Sequence, residues 1–238
     1  MTSSATIMLW VVLPYAVVAH FVIGHIWRYF ASPYTWTTRS TQLLESKLLR
    51  PGIILFHVGV LMAFAGHVVG LLIPDEWTRE IGMSDDFYHH MASISGSVAG
   101  TLMCAGLFLL IYRRLSNERV RATSIIRDHL VLIILTVVVI TGLFNAYSQL
   151  FGNTHEYRET VAPWLRSIIF HHPEPELMTA APFVFQLHAL AAMALFIIWP
   201  FSRLVHAWSL PVGYTRRPYI VFRRREAPAR VARFRQPR

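Results

Sequence analysis

Cysteine and charged side chains are scarce in this sequence of 238 residues. Cys104 is the single cysteine, which excludes intramolecular disulfides, covalent CxxCH cofactor attachment and thiolate metal clusters. Only 15% of the residues are charged and 54% are hydrophobic, with a mean hydropathy of +0.43 that excludes an ordinary soluble domain. We therefore expect a membrane protein in which histidine, oxygen or noncovalent packing holds any cofactor.

The charge that is present is mostly basic, with a net value of +9. Nucleic-acid binding would need a soluble basic face with readout elements, which so apolar a chain does not provide. No basic n-region precedes the first apolar run, so we expect residues 1–29 to form a retained span and not a signal peptide. Phosphate-binding glycine loops and nucleophile motifs are also missing, which leaves hydrolytic chemistry without support.

Five apolar runs predict an all-α integral membrane protein with five transmembrane helices. Each run has about twenty residues, the length that crosses a bilayer core as a helix. In the fifth run Pro200 removes a backbone donor, so we expect a kink there. We divide the chain into a membrane domain over 1–210 and a basic tail over 211–238. The runs cover roughly residues 6–27, 52–73, 92–112, 129–150 and 182–208.

Basic and acidic residues separate onto opposite sides of the predicted spans. With the amino terminus outside, 19 of the 22 basic residues fall on the inner side and nine of the 13 acids on the outer side. The positive-inside rule therefore predicts an outside amino terminus and a cytoplasmic carboxyl terminus. The basic tail has two open interpretations, an anchor at an anionic leaflet and a docking surface for a cytoplasmic subunit.

Four of the twelve histidines lie well inside two of the predicted spans. A histidine at bilayer depth is costly without a partner and marks a functional site. His57 and His67 lie in the second span, and His188 and His206 lie in the fifth. Because chain polarity makes these spans antiparallel, depth pairs His57 with His206 near the inner side and His67 with His188 near the outer side.

Two neutral imidazoles on opposite sides of a flat macrocycle are what a six-coordinate b-type haem needs, so two pairs predict two haems. Such an iron has no open position for substrate, and its predicted role is electron transfer. The alternative is that the histidines satisfy one another as polar contacts between helices. The two histidine spacings disagree. The ten residues from His57 to His67 rise about 15 Å along a helix, whereas the eighteen residues from His188 to His206 rise about 27 Å.

Four segments carry a resemblance to a known family. They are IWRYF with YTW after the first span, LFHVGVLMAFAGHVVG in the second, RRLSNERVRAT after the third, and QLHALAAMALFIIWPFSRLVHAWSLPVGYTRR in the fifth. These segments resemble the gamma subunit of bacterial membrane-bound respiratory nitrate reductase, a dihaem cytochrome b, over nearly the whole chain. The last segment is the most specific, because both histidines, the proline and the following Ser-Arg stand in family order.

The resemblance implies a set of ligands and partners. By this resemblance, the haem ligands of the family correspond to His57 and His206 for an inner haem and to His67 and His188 for an outer haem. Depth predicts the same pairing. It implies that quinol, either menaquinol or ubiquinol, is oxidised near the outer haem. Electrons would then pass inward to an iron–sulfur beta subunit and to a molybdenum-cofactor alpha subunit that reduces nitrate on the cytoplasmic side.

Arginines near the inner boundary are candidates for contacts with haem propionates, because charge-assisted hydrogen bonds suit a carboxylate. Each of them is also explained by the positive-inside rule alone. Arg203 is the best placed, three residues before His206. The candidates are Arg28, Arg113, Arg114 and Arg203.

The quinol pocket departs from the family pattern. Members of the family place a lysine before the third span, whereas Lys47 is the sole lysine of this chain. The matching region reads DDFYHHM, which puts Tyr88 close to that position with His89 and His90 beside it. A tyrosine or histidine can hydrogen-bond a quinol oxygen and relay its proton, so these three residues form the predicted quinol site.

Other functions stay open at this stage. A related dihaem subunit could serve a sulfur-metabolising or heterodisulfide-type complex, and partner genes would decide. A histidine-lined metal or proton transporter would need acids within the spans, yet only Asp128 touches the edge of one. A purely structural anchor would tolerate replacement of His67 without loss of quinol-dependent activity.

Overall fold

A computed structural model describes residues 3–32, 35–36, 40–152 and 155–208 of the chain. Those residues form helices joined by loops and contain no β-strand. Five of the helices are long and apolar enough to cross a membrane. The predicted all-α fold with five membrane-spanning helices is therefore confirmed. The basic tail over 211–238 lies outside the described residues.

Four of the membrane helices closely match the predicted apolar runs, and polar residues extend several of them. Helix α4 begins before the predicted limit because the Ser84 hydroxyl accepts the N–H of Phe87 and caps it. The membrane helices are α1 Ser4–Ala31, α2 Leu49–Leu72, α4 Asp85–Ser116, α6 Ile126–Leu150 and α9 Phe183–Ile198. The shorter helices are α3 Asp75–Glu80, α5 Glu118–Ala122, α7 Val161–Ile169 and α8 Pro175–Ala180.

Each membrane helix packs on the next in a defined order. Helix α2 packs on α4, α4 on α6, α6 on α9 and α9 on α1. Glycines allow the closest approach, since a Cβ on Gly106 of α4 would lie 2.4 Å from the Phe56 nitrogen of α2. A Cβ on Gly59 would likewise meet the Ala99 carbonyl at 2.7 Å. Helix α2 is therefore held against α4 by small residues, and its histidines project from elsewhere on its surface.

The two ends of the bundle differ in charge. One end, called the basic end, holds Arg28, Arg113, Arg114 and Arg203. The other, called the acidic end, holds helices α3, α7 and α8. Helix α7 is tied to α1 there, because Trp164 Nε1 donates to the Trp10 carbonyl at 3.0 Å and the two rings pack edge to face at 5.7 Å.

The fifth span differs from its prediction as a single kinked helix over 182–208. Helix α9 ends at Ile198, and two 3₁₀ segments follow, Trp199–Phe201 and Arg203–Trp208. Extended backbone at Ser202 separates them. Pro200 cannot continue the helical hydrogen bonds, and Arg28 donates to the carbonyls of Pro200 and Ser202. These carbonyls at the helix end therefore accept hydrogen bonds from a side chain instead of from the N–H groups of a further helical turn.

Candidate functional site

The structure brings the four intramembrane histidines together as two pairs. The His57 and His206 rings lie 6.1 Å apart between centroids at the basic end. The His67 and His188 rings lie 6.1 Å apart toward the acidic end. These are the two pairs that depth predicts from the sequence.

Paired imidazoles have different ring separations in direct contact and across a shared metal. Two imidazoles bonded directly through an N–H···N contact of about 2.9 Å would have ring centres about 5.1 Å apart. Two imidazoles on opposite sides of one metal, with bonds of about 2.0 Å, would have ring centres about 6.2 Å apart. Both observed separations are closer to the second value.

In three of the rings, Nδ1 lies within hydrogen-bond distance of a backbone carbonyl oxygen. His57 Nδ1 lies 2.9 Å from the Ile53 oxygen, His67 Nδ1 lies 2.6 Å from the Ala63 oxygen, and His206 Nδ1 lies 2.7 Å from the Arg203 oxygen. A carbonyl only accepts, so each Nδ1 carries the proton. The Nε2 lone pair of each neutral ring is then free to bind a metal, the arrangement in which a second partner orients a metal ligand.

His188 is held by α6 and not by its own helix. Its Nδ1 lies 3.0 Å from the Thr141 hydroxyl, which itself donates to the Val137 carbonyl. Gly142 makes room for the ring, because a Cβ there would lie 2.9 Å from His188 Cε1. Neither residue is found by sequence reasoning, because only the packing of α6 on α9 brings them to this histidine.

The end of α9 resolves the mismatch between the ten- and eighteen-residue spacings. From His188 to the end of the helix at Ile198 the chain rises about 15 Å, as it does between His57 and His67 on α2. The 3₁₀ segments then turn the chain at that depth and present His206 to His57. The two ligand pairs therefore lie at matched heights on both helices.

The donor set suits a macrocyclic cofactor. Each pair supplies two nitrogen ligands, whereas a protein-only metal site needs at least three or four. No group of three or more His, Cys, Asp or Glu side chains suited to a metal occurs among the described residues. Gly66, one residue before His67, has nothing within 4 Å of where a Cβ would lie, so a flat group has room beside the α2 backbone there. The residues present therefore fit a b-type haem at each pair.

Comparison with known proteins identifies the family. A model of the nitrate reductase gamma subunit matches residues 6–225 of the chain. The chain belongs to the nitrate reductase gamma subunit family. With its five membrane helices, this gamma-family chain is a multi-pass bacterial membrane protein.

Curated relatives agree with that assignment. The chain is 41% identical to the nitrate reductase gamma chain of Bacillus subtilis over 218 residues, 92% of this chain and 98% of the relative. It is 37% identical to the respiratory nitrate reductase 1 gamma chain of Escherichia coli over 216 residues, 90% of this chain and 95% of the relative.

Longer relatives contain the same region as one part. The chain is 42% identical over 221 residues to the nitrate reductase-like protein NarX of Mycobacterium tuberculosis, and this covers 92% of the chain but 34% of NarX. The chain thus spans about a third of the length of that relative. A more distant similarity, 27% identity over 264 residues, joins it to the Hdr-like menaquinol oxidoreductase cytochrome b-like subunit of Archaeoglobus fulgidus.

The four candidate arginines of the gamma-family chain make their hydrogen bonds inside the basic end. Arg113 is buried and donates to Glu45 and Thr41. Arg28 donates to backbone carbonyls, as described above. Arg114 and Arg203 both reach the buried Asp128 carboxylate, at 3.2 and 2.7 Å. Propionate contacts of Arg28, Arg113, Arg114 and Arg203 stay predictions.

The three predicted quinol-site residues of the gamma-family chain have different surroundings. The buried Tyr88 hydroxyl lies 3.4 Å from Tyr157, and the Arg158 guanidinium lies 3.9 Å above the Tyr88 ring. His89 Nε2 faces the Gln149 carbonyl at 3.3 Å, and His90 is exposed. Burial, together with the Tyr88 hydroxyl, raises the pKa of Tyr157 well above its usual value, so Tyr157 keeps its proton at neutral pH.

Proposed function

We propose that this gamma-family chain is a dihaem cytochrome b subunit that oxidises quinol and passes the electrons across the membrane. Membership of the nitrate reductase gamma subunit family supports a membrane cytochrome b of respiratory nitrate reductase. The observation that carries the dihaem proposal is the pair of 6.1 Å ring separations, each of which suits two imidazoles on one iron.

In this proposal His57 and His206 hold one b-type haem, and His67 and His188 hold the other. When bound, each haem would supply a one-electron redox centre held by its two histidines. The carbonyls of Ile53, Ala63 and Arg203 keep three ligand rings in the tautomer that binds metal. From a neighbouring helix, the Thr141 hydroxyl orients the His188 ring and Gly142 leaves room for it.

Quinol would be oxidised at the acidic end, near the His67–His188 pair. Tyr88, His89 and His90 are the proposed polar residues of that site, and their role is to bind a quinol oxygen or receive its proton. With the acidic end outside, quinol protons leave on that side while electrons move inward. Each charge that crosses is worth about 2.3 kcal/mol per 100 mV of membrane potential.

The partners follow from the charge of the two ends. The basic end would face the cytoplasm under the positive-inside rule and dock an iron–sulfur beta subunit, which feeds a molybdenum-cofactor alpha subunit that reduces nitrate. The tail over 211–238 is the proposed additional contact. Similarity to the Archaeoglobus fulgidus subunit supports a second candidate, a quinol-linked cytochrome b of a heterodisulfide-type complex. Co-purification of a molybdenum-containing nitrate-reducing subunit would decide between them.

Single histidine replacements in the membrane complex test the proposal. We expect His57→Ala or His206→Ala to remove the haem at the basic end, and His67→Ala or His188→Ala to remove the one at the acidic end. Reduced-minus-oxidised spectra after quinol addition report both haems. His129→Ala is the matched control, since His129 is partly exposed and contacts only the Ile125 carbonyl among the hydrogen bonds described. A complex without b-type bands, or unchanged spectra in all four variants, would refute the dihaem assignment.

A further inference from the structure

Three arginines lie at the acidic end, where the positive-inside rule leaves few basic residues. Arg79 is exposed and pairs with the carboxylates of Asp75 and Asp85 at 2.8 and 3.0 Å. Arg166 donates to a backbone carbonyl of α2 at 3.2 Å. Arg158 is buried, and it makes no ion pair among the residues that the structure describes. A buried guanidinium on this side of the bundle therefore calls for another explanation than topology.

The protein satisfies the Arg158 guanidinium only in part. A guanidinium has five N–H donors. One terminal nitrogen donates to the Thr78 hydroxyl of α3 at 3.0 Å, whereas the buried Nε has no hydrogen-bond partner among the described residues. A charge that is taken out of water is costly unless it is both paired and hydrogen-bonded. A role as a tie between Thr78 and the loop before α7 does not account for the unpaired charge or for the unused Nε donor.

The Arg158 guanidinium lies over the ring of Tyr88 on α4. Its central carbon is 3.9 Å from the ring centre, a cation–π contact. The Tyr88 hydroxyl lies 3.4 Å from the Tyr157 hydroxyl. Burial raises the pKa of Tyr157, and the Arg158 charge acts in the opposite direction, as expected for a cation close to that hydroxyl. One positive charge and two hydroxyl groups are therefore gathered in one place, which we call the Arg158 cluster. It consists of Tyr88, Tyr157 and Arg158.

The Arg158 cluster lies close to His67, a proposed haem ligand. Gly70 of α2 contacts it, because a Cβ there would lie 2.9 Å from the Tyr157 hydroxyl and 3.3 Å from the Tyr88 hydroxyl. Gly70 follows His67 by three residues. Helical residues three apart are neighbours on one face, and three residues rise about 4.5 Å. The two hydroxyls therefore lie against α2 about one helical turn beyond His67, on its acidic-end side.

We propose that Arg158 binds an oxygen of the quinol or quinone headgroup at the acidic end. This inference rests on the proposed quinol-oxidising function, and it adds a charged donor to Tyr88, His89 and His90. Headgroup oxygens accept hydrogen bonds, and a charged donor makes such bonds about twice as strong as a neutral donor does. The headgroup is also a flat ring that can pack beside an aromatic side chain. A single guanidinium beside two hydroxyls and an aromatic ring suits an uncharged oxygen of this kind.

Removal of this guanidinium from the membrane complex tests the proposal. Arg158→Met removes both the charge and the donors, whereas Arg158→Lys keeps the charge. Arg166→Met is the matched control, because it removes a guanidinium that donates to α2 at the same end. Equilibrium dialysis with labelled menadione, a naphthoquinone without a lipid tail, measures headgroup binding. Haem reduction at a series of menadiol concentrations gives the half-saturating concentration and the rate at saturation. Dithionite-reduced spectra give the haem content independently of quinol.

We expect Arg158→Met to weaken menadione binding at least about tenfold, because a hydrogen bond from a charged group is lost. The half-saturating menadiol concentration should rise by a similar factor, with an unchanged rate at saturation and unchanged haem content, as for the loss of a contact that serves binding alone. Arg158→Lys should recover part of the binding, since its ammonium keeps the charge without the planar fork. Arg166→Met should match the wild type in every measurement.

The outcomes separate failure of this inference from failure of the proposed function. A wild type with no haem reduction by menadiol overturns both. A wild type that menadiol reduces, together with wild-type menadione binding in Arg158→Met, overturns the role of Arg158 alone, as does an equal loss of binding in Arg166→Met. If Arg158→Met loses haem, Arg158→Gln takes its place, because its amide can still donate to the Thr78 hydroxyl. Unchanged binding in Arg158→Gln, or loss of haem from that variant too, assigns Arg158 a structural role and overturns the inference.

Discussion

The two histidine pairs have the same ring separation but are built in different ways. At the basic end, His57 on α2 meets His206 on a 3₁₀ segment, and the two rings are tilted by 57°. Toward the acidic end, His67 meets His188 on a regular helix, with an angle of 24° between the rings. Both His206 and His57 use carbonyls of their own segment, whereas His188 uses a side chain from α6.

This difference indicates what each pair depends on. The basic-end pair depends on the break after α9, which Arg28 holds by donating to carbonyls on both sides of it. The acidic-end pair depends on the packing of α6, through Thr141 and Gly142. We therefore expect substitutions to affect one pair and spare the other.

Gly142→Val should remove the acidic-end haem. The added side chain would enter the space of the His188 ring, since even a Cβ would lie 2.9 Å from Cε1. We expect the haem affinity of that pair to fall about 100-fold, the upper range for a lost supporting contact. Reduced-minus-oxidised spectra measure it, with Gly96→Ala as the control, where the new Cβ meets Ala146 at an ordinary 3.4 Å. Equal loss of both haems would argue against independent pairs.

Thr141→Val should weaken binding of the same haem while His188 stays in place as its ligand. The hydroxyl that accepts from His188 Nδ1 is replaced by a methyl group of the same size, so the ring loses its orienting partner. We expect about tenfold weaker haem binding at the acidic end. Haem titration of the purified protein measures this loss, and an equal effect on the basic-end haem would contradict the contact assigned to Thr141.

Arg28→Met should loosen the basic-end pair. The guanidinium holds the carbonyls of Pro200 and Ser202, and each hydrogen bond to a charged group is worth about 1.5–3 kcal/mol. We expect partial loss of the basic-end haem and an unchanged acidic-end haem in the same spectra. Arg127→Met is the control, because its contact with the Phe201 carbonyl is long, at 3.4 Å. Loss of the acidic-end haem instead would show that Arg28 acts elsewhere.

Tyr157→Phe should have the smallest effect, about 1 kcal/mol of stability from a single hydrogen bond. The folded-state pKa of Tyr157 is raised by burial, so its contribution is present below the ordinary tyrosine pKa of about 10 and is lost as the pH rises further. Thermal melts at pH 8 and above pH 10 check this. The wild type should lose more stability over that interval than Tyr157→Phe, and identical losses would contradict it.

Much of this architecture could be predicted from the sequence, because lipid imposes a simple length and polarity pattern. The apolar runs predicted the helices, and the depth of His57 and His67 predicted their partners. The break after α9 could not be predicted, since it depends on Arg28 reaching carbonyls far along the chain. The contacts of α6 with His188 could not be predicted either, because they depend on which helices are neighbours in space.

The haem content of the purified complex tests the assignment of two bis-histidine haems. Two six-coordinate sites per chain predict two b-type haems per gamma-family chain, measured as extracted haem against protein, and one haem in His67→Ala. One haem or none in the wild type, or loss of both haems from His67→Ala alone, would contradict the assignment of two independent bis-histidine pairs.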